Sequence, residues 1–283
     1  MKIGFLDYSL NNYHANKFHM LLTGKVGAGE VQLVAAHETN PTGDDWCAAK
    51  GVPRASSAQE VVDKSDAIIV LAPDNSSRHL ELGQIAYKSG KPVFVDKYLA
   101  TTTEDAKEIV RLAAASKSPL MSSSSLRYSV ELEELVSRIG NEPILALFSR
   151  GIGKWGGYAC HSVAPALRLL GTRIKRVIDT GSGNVHLVTL DDGNRHSSIE
   201  LRESENQMEA TPWQVGVLIG KNYDVVTISK YDEFYENLMK ETVKFFKSGK
   251  SPISTEEMLE TVAIEVAATE SAAKGGVWVD VRI

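Results

Sequence analysis

Cysteine is scarce in this sequence: 283 residues hold two, Cys47 and Cys160, far apart. That excludes a disulfide framework and a CxxC pair, and free thiols in a reducing compartment are the expectation. Long hydrophobic runs are missing as well. No stretch reaches the roughly 18 apolar residues of a spanning helix. The amino-terminal MKIGFLDYS has one basic residue and an apolar stretch too short for a signal peptide, so a cytoplasmic protein is expected. There is no Lys/Arg run, and the net charge is −5. A nucleic-acid surface needs concentrated positive charge, so that class is excluded. HxxxH and paired Cys/His spacings are absent, which leaves no expected metal ligands. GxSxG is absent too, and with it any nucleophile motif. No internal repeat is present, and the only biased segment is a run of four serines.

What is present has globular proportions, 43% hydrophobic and 24% charged residues. At about 150 residues per domain, the length suggests roughly two domains. Residues 1–122 alternate short apolar runs with helical patterns. The runs are Ile3–Leu6, Val31–Ala36, Ala67–Ala72 and Val93–Val95. Short apolar runs bounded by turns suit strands buried on both faces. In Glu104–Ser116, Ala106, Ile109, Val110 and Ala113 recur at helical spacing, and Thr101 with Glu104 has capping-box spacing. This rhythm predicts an α/β fold with a doubly wound parallel sheet.

From residue 123 the pattern changes. One helix is expected over Leu126–Ile139. Strand-like runs follow at Ile144–Ser149, Ile174–Thr180, Val185–Leu190, His196–Arg202, Val215–Ile219 and Val225–Ile228, interrupted by a helix over Cys160–Leu170. An α+β domain with an open, mostly antiparallel sheet is expected over 123–283. Two helices close the chain. Ser254 and Glu257 make a capping box for the second, which is free to pack back on the first domain.

Ligands of open parallel sheets bind beyond the carboxyl ends of the strands. That rule selects Asp7–Asn12, then Pro73, Asp74, Asn75 and His79, then Asp96, Lys97 and Tyr98, then the serine run with Arg127. Read alone, Lys97 suits a solvated surface lysine. His161 follows the glycine-rich Gly151–Gly157; it suits a general acid/base, or a capping or core histidine.

Residues 73–129, PDNSSRHLELGQIAYKSGKPVFVDKYLATTTEDAKEIVRLAAASKSPLMSSSSLRYS, resemble the glucose–fructose oxidoreductase, inositol dehydrogenase and MocA-type (Gfo/Idh/MocA) family. There a histidine-bearing helix, a GKxVxxEKPLA strand and loop, a further helix and an arginine–tyrosine pair occur in this order. GGYACHSVAPALRLLG is similar to the family's histidine-bearing substrate-domain segment, and the C-terminal helices match in turn. The resemblance implies a Rossmann-type first domain and hydride transfer between NAD or NADP and a secondary hydroxyl of a sugar, inositol or related polyol. It implies Lys97 and His161 as catalytic residues. Arg127 and Tyr128 would lie near the substrate and His79 beside the cofactor; Pro73 and Asp96 stand at the same cofactor edge by the sheet rule, and Trp155, beside the glycine run, suits stacking on a sugar face and core packing equally. It also implies a homo-oligomer, dimer or tetramer, paired through the open face of the second sheet. Hydride loss requires loss of the hydroxyl proton, so a base must touch that oxygen, and a nearby lysine cation stabilises the developing alkoxide.

The sequence departs from the family in four places. The glycine positions of GxGxxG are Asp7, Ser9 and Asn12. Glycine there permits the tight turn and close approach to pyrophosphate. A carboxylate about 5 Å from a phosphate, at an effective dielectric of about 20, costs roughly 3 kcal/mol. Ser9, Asn11 and Asn12 can still donate hydrogen bonds, and the helix N-terminus still favours an anion. The second strand ends in His37-Glu38, which leaves NAD and NADP equally open. Asp96-Lys97-Tyr98 replaces Glu-Lys-Pro, which predicts a different local backbone. Gly157 and Ala164 stand where acidic companions of His161 are expected. These departures keep two alternatives in view: a ligand-binding or regulatory protein, and an isomerase or lyase.

Overall fold

The computed structural model describes residues 1–27, 29–203 and 211–283. They form two compact units. Met1–Ser123 with Tyr235–Met258 make the first, and Ser124–Phe234 with Leu259–Ile283 the second.

The first unit is built on five strands: β1 (Lys2–Asp7), β2 (Gln32–Glu38), β3 (Ala67–Val70), β4 (Val93–Asp96) and β5 (Leu120–Ser123). Their order is β2-β1-β3-β4-β5, and every pairing is parallel. The sequence AIIV of β3 is buried along its whole length, which is why the run lacks polar alternation. A single parallel bridge, Ala36 to Arg54, lies alongside β2 where a further strand would run. Five helices connect the strands: α1 (Tyr13–Thr23), α2 (Trp46–Lys50), α3 (Ala58–Lys64), α4 (His79–Tyr87) and α5 (Thr103–Ala115). The cap of α5 is Thr102 rather than Thr101; its hydroxyl accepts from the Asp105 amide at 3.2 Å. The reason is register: the Thr102 side chain meets the amide three residues on, which is the N-cap geometry.

Strand order reverses at β1, whose neighbours are β2 and β3. The loops after β1 and β3 therefore flank the switch point at which ligands of such sheets bind.

The second unit carries β6 (Ile144–Ile152), β7 (Arg176–Asp179), β8 (Val185–Asp191), β9 (His196–Arg202), β10 (Trp213–Ile219), β11 (Asn222–Ile228) and the short β12 (Val279–Asp280). Their order is β11-β10-β6-β9-β8-β7-β12, antiparallel except for the parallel pair β6–β9. The expected helix over 126–139 is a 3-10 turn, Ser125–Tyr128, followed by α6 (Val130–Ile139). A short kinked helix, α7 (Trp155–Tyr158), leads to α8 (Cys160–Leu170). Val163, Ala166 and Leu167 of α8 are buried. Pro165 lacks the amide that the His161 carbonyl would otherwise receive. The closing helices are α9 (Tyr231–Ser248) and α10 (Thr255–Ala273), the latter capped by Ser254 as its spacing predicts.

Candidate functional site

In the first unit, the loop after β1 closes on its own acids. The Asp7 carboxylate is buried. One of its oxygens accepts from the amides of Tyr8 at 2.7 Å, Ser9 at 3.3 Å and Ala72 at 3.0 Å. The other accepts from the Asn12 side-chain amide at 2.8 Å. The next amide, that of Leu10, donates to Glu38 at 2.7 Å. Three successive loop amides thus face carboxylates of the chain itself. Consecutive N–H groups of this kind form a concavity that attracts an anion. Burial raises the Asp7 carboxyl to about 7, against the lowering pull of Asn12, Tyr8, Ser9 and Ala72.

The remaining loop candidates point the same way. Asn12 is the N-cap of α1, accepting from the Ala15 amide at 2.8 Å. Ser9 hydrogen-bonds Thr42 at 2.6 Å, and the Asn11 side chain donates to the carbonyls of Thr42 and Asp44. Glu38 pairs with Arg54 at 2.8 Å, and Arg54 also holds Asp45. His37 is half-buried with Nδ1 at 3.1 Å from the Ala55 carbonyl. The loops after β1 and β2 are therefore joined along their length.

Beyond β4 the backbone is unusual. Lys97 has φ +63°, and the Tyr98 amide reaches back to the Asp96 carbonyl at 2.8 Å. That is a γ-turn, rare for a non-glycine residue because its Cβ crowds the backbone. No peptide bond among the described residues is cis. Lys97 is buried, and its ammonium donates to the Pro73 carbonyl at 2.8 Å. His79 is fully buried at the start of α4, its Nδ1 at 3.1 and 3.2 Å from the carbonyls of Tyr98 and Leu99. Burial lowers the His79 pKa, opposed by the nearby Asp96 charge. His79 thus fastens the strained turn from beneath. Asp96 lies 2.5 Å from His14 Nδ1, and His14 Nε2 lies 3.3 Å from the Tyr235 hydroxyl. Burial raises the Asp96 carboxyl, but His14, Lys97 and His79 together hold it below its ordinary value.

In the second unit, His161 is buried with Nδ1 at 2.7 Å from the Ser124 hydroxyl, which also accepts from the Leu126 amide. Its ring meets Tyr158 and Trp213 edge-on, with centroids 5.6 and 5.7 Å away. Two glycines make room for this frame. A Cβ on Gly151 would lie 1.9 Å from the Trp213 ring, and one on Gly153 2.4 Å from Tyr158. Arg127 is buried in the 3-10 turn, and Tyr128 follows it. Trp155 is buried; its indole N–H donates to the Glu265 carbonyl at 3.1 Å and its ring lies 5.2 Å from His186. Its polar handle and one face are used inside the unit.

Sequence reasoning passed over Arg54, Ala72, His14 and Trp213, and reached Ser124 only as part of the serine run. Nothing in their spacing marks them: Arg54 meets Asp45 across a gap of 9 residues and His14 meets Asp96 across 82, with no period. The serine run was the one usable signal, for Ser124. Among the described residues, no group of three or more His, Cys, Asp or Glu could hold a metal. Nor is any helix long and apolar enough to cross a membrane.

Residues 6–124 match the model of the oxidoreductase family with an NAD-binding Rossmann fold. No curated protein sequence matches the chain. Among solved structures, a probable dehydrogenase from Thermotoga maritima is 17% identical at TM-score 0.81, with 99% of each chain covered. A putative myo-inositol dehydrogenase from Sinorhizobium meliloti 1021 is 14% identical at TM-score 0.78 over 100% of each chain. Levoglucosan dehydrogenase, in a complex with NADH and levoglucosan, is 14% identical at TM-score 0.80 over 100% of each chain. At these identities the likeness is one of fold.

Proposed function

We propose, from the match of residues 6–124 to the model of an oxidoreductase family with an NAD-binding Rossmann fold, that this protein is an NAD(P)-dependent oxidoreductase acting on a secondary hydroxyl of a sugar, inositol or related polyol. The observation that carries the reading is Lys97. A buried lysine in a left-handed turn at the carboxyl end of a central parallel strand is costly to hold, and such strain collects at functional sites. When bound, the dinucleotide supplies or accepts the hydride. Lys97 holds a cation for the alkoxide that develops as the hydroxyl loses its proton. His161 is assigned to take that proton, its Nδ1 lying 2.7 Å from the Ser124 hydroxyl. Arg127 and Tyr128 are assigned to substrate orientation.

The residues fit a dinucleotide in part. Helix α1 presents an N-terminus at the switch point, as a pyrophosphate needs. The amides of Tyr8 and Ser9, however, already serve Asp7, and Glu38 already serves Leu10 and Arg54. Exposed Leu187, Tyr223 and Val225 on the second sheet support pairing of copies there, so light scattering should give at least twice 30.8 kDa. A panel of sugars, inositols and polyols incubated with NAD or NADP tests the activity. Cofactor reduction that disappears in Lys97→Ala and in His161→Ala supports the reading. Product formed with no cofactor added or retained contradicts it and favours an isomerase or lyase.

A further inference from the structure

The loop after β1 is shaped as an anion site, yet the anion is part of the chain. We propose that Asp7 is an internal stand-in for the dinucleotide's pyrophosphate, and that a dinucleotide takes this loop only when the Asp7 carboxyl is neutral or has left the Tyr8 and Ser9 amides. The inference rests on the dinucleotide reading above and adds a residue that sets affinity. Its basis is geometric. Asp7 stands at the first glycine position of the fingerprint, at the end of β1, and collects four hydrogen bonds. Two come from the amides that a pyrophosphate would use. One comes from Ala72 in the loop after β3, and one from Asn12, the cap of α1. The carboxylate therefore ties together the two loops that flank the switch point.

The surroundings set how the stand-in responds to a proton. Glu38, on β2, is Asp7's register partner and is neutralised by Arg54. His14, on α1, is engaged by Asp96. Lys97 donates to the carbonyl of Pro73, beside Ala72. Arg78, in the 3-10 turn before α4, lies over the Tyr8 ring at 5.6 Å. Among the described residues, none of these is ion-paired with Asp7. Nothing balances the Asp7 charge except neutral donors, so burial governs it and its carboxyl sits at about 7. A phosphate brought to the loop repels the ionised form and favours the neutral one. Dinucleotide binding should then take up a proton and weaken as pH rises.

The experiment is calorimetric titration of the full chain with NADH, and separately with ADP-ribose, at about pH 6 and about pH 8.5. ADP-ribose carries the pyrophosphate without the nicotinamide and so reads the loop apart from hydride chemistry. With the carboxyl at about 7, the neutral fraction falls about thirtyfold between those conditions, and the affinity of the wild type should fall by about that factor. Asp7→Asn and Asp7→Gly should bind with little pH dependence, and at least about tenfold tighter than wild type at the higher pH. Melting curves establish that both variants are folded, and the wild-type profile needs no variant. Wild-type affinity equal at both pH values, with variants no tighter, overturns the role of Asp7 and leaves the oxidoreductase reading standing. Absence of binding by every form at both pH values overturns both.

Discussion

Lys97 and Asp7 are both held at a cost, and each makes a prediction at the level of one side chain. The left-handed backbone at Lys97 costs on the order of 1–2 kcal/mol. Lys97→Gly should therefore fold at least as well as wild type in a melting curve, yet lose activity by about a hundredfold or more. Asp7 ionises at about 7 in the folded chain and at its ordinary value of 3.8 when unfolded. The folded state thus keeps a proton that the unfolded state releases. Stability is full below about pH 4, falls as pH rises through 7 and is level above. Asp7→Asn does not titrate, so its unfolding free energy should gain on wild type across that window, by on the order of a few kcal/mol at the top, as read from urea unfolding at each pH. Ser124 hydrogen-bonds His161. Ser124→Ala should lower kcat by about tenfold with little change in KM, measured on whichever polyol the panel identifies.

At the scale of elements, β3 was legible because AIIV can only be buried, and α10 because Ser254 and Glu257 sit at cap spacing. Strand β10 was placed at Val215, and Trp213 escaped because a lone aromatic before a strand has no periodic signal. Helices α2 and α3 were not anticipated; they span five and seven residues, too few to show a period. The loop after β1 was legible as a departure from glycine, and the expected clash between Asp7 and phosphate was argued from charge alone. Its closure on Glu38, Arg54 and Ala72 was not legible, since each contact joins residues distant in sequence. The glycine-rich stretch from 151 to 157 divides physically. Gly151→Ala drives a methyl into the Trp213 ring and should cost about 1–3 kcal/mol in urea unfolding. Gly156→Ala meets nothing within 4 Å and should stay within about 0.5 kcal/mol of wild type.

For the molecule as a whole, the fold and the local chemistry pull in different directions. The first unit keeps the parallel sheet, the switch point and the lysine after β4, while its phosphate loop is satisfied from within. On the proposed reading, Asp7 must take up a proton or leave the Tyr8 and Ser9 amides before a dinucleotide is loaded. The most direct test is a calorimetric titration of the wild-type chain with NADH and NADPH at about pH 6, repeated in buffers of different ionisation enthalpy. One site per chain is the predicted result, with uptake of only about a tenth of a proton there, where the Asp7 carboxyl is already largely neutral, and of nearly one proton at about pH 8.5. No heat with either dinucleotide there, together with none at about pH 8.5, would contradict the account.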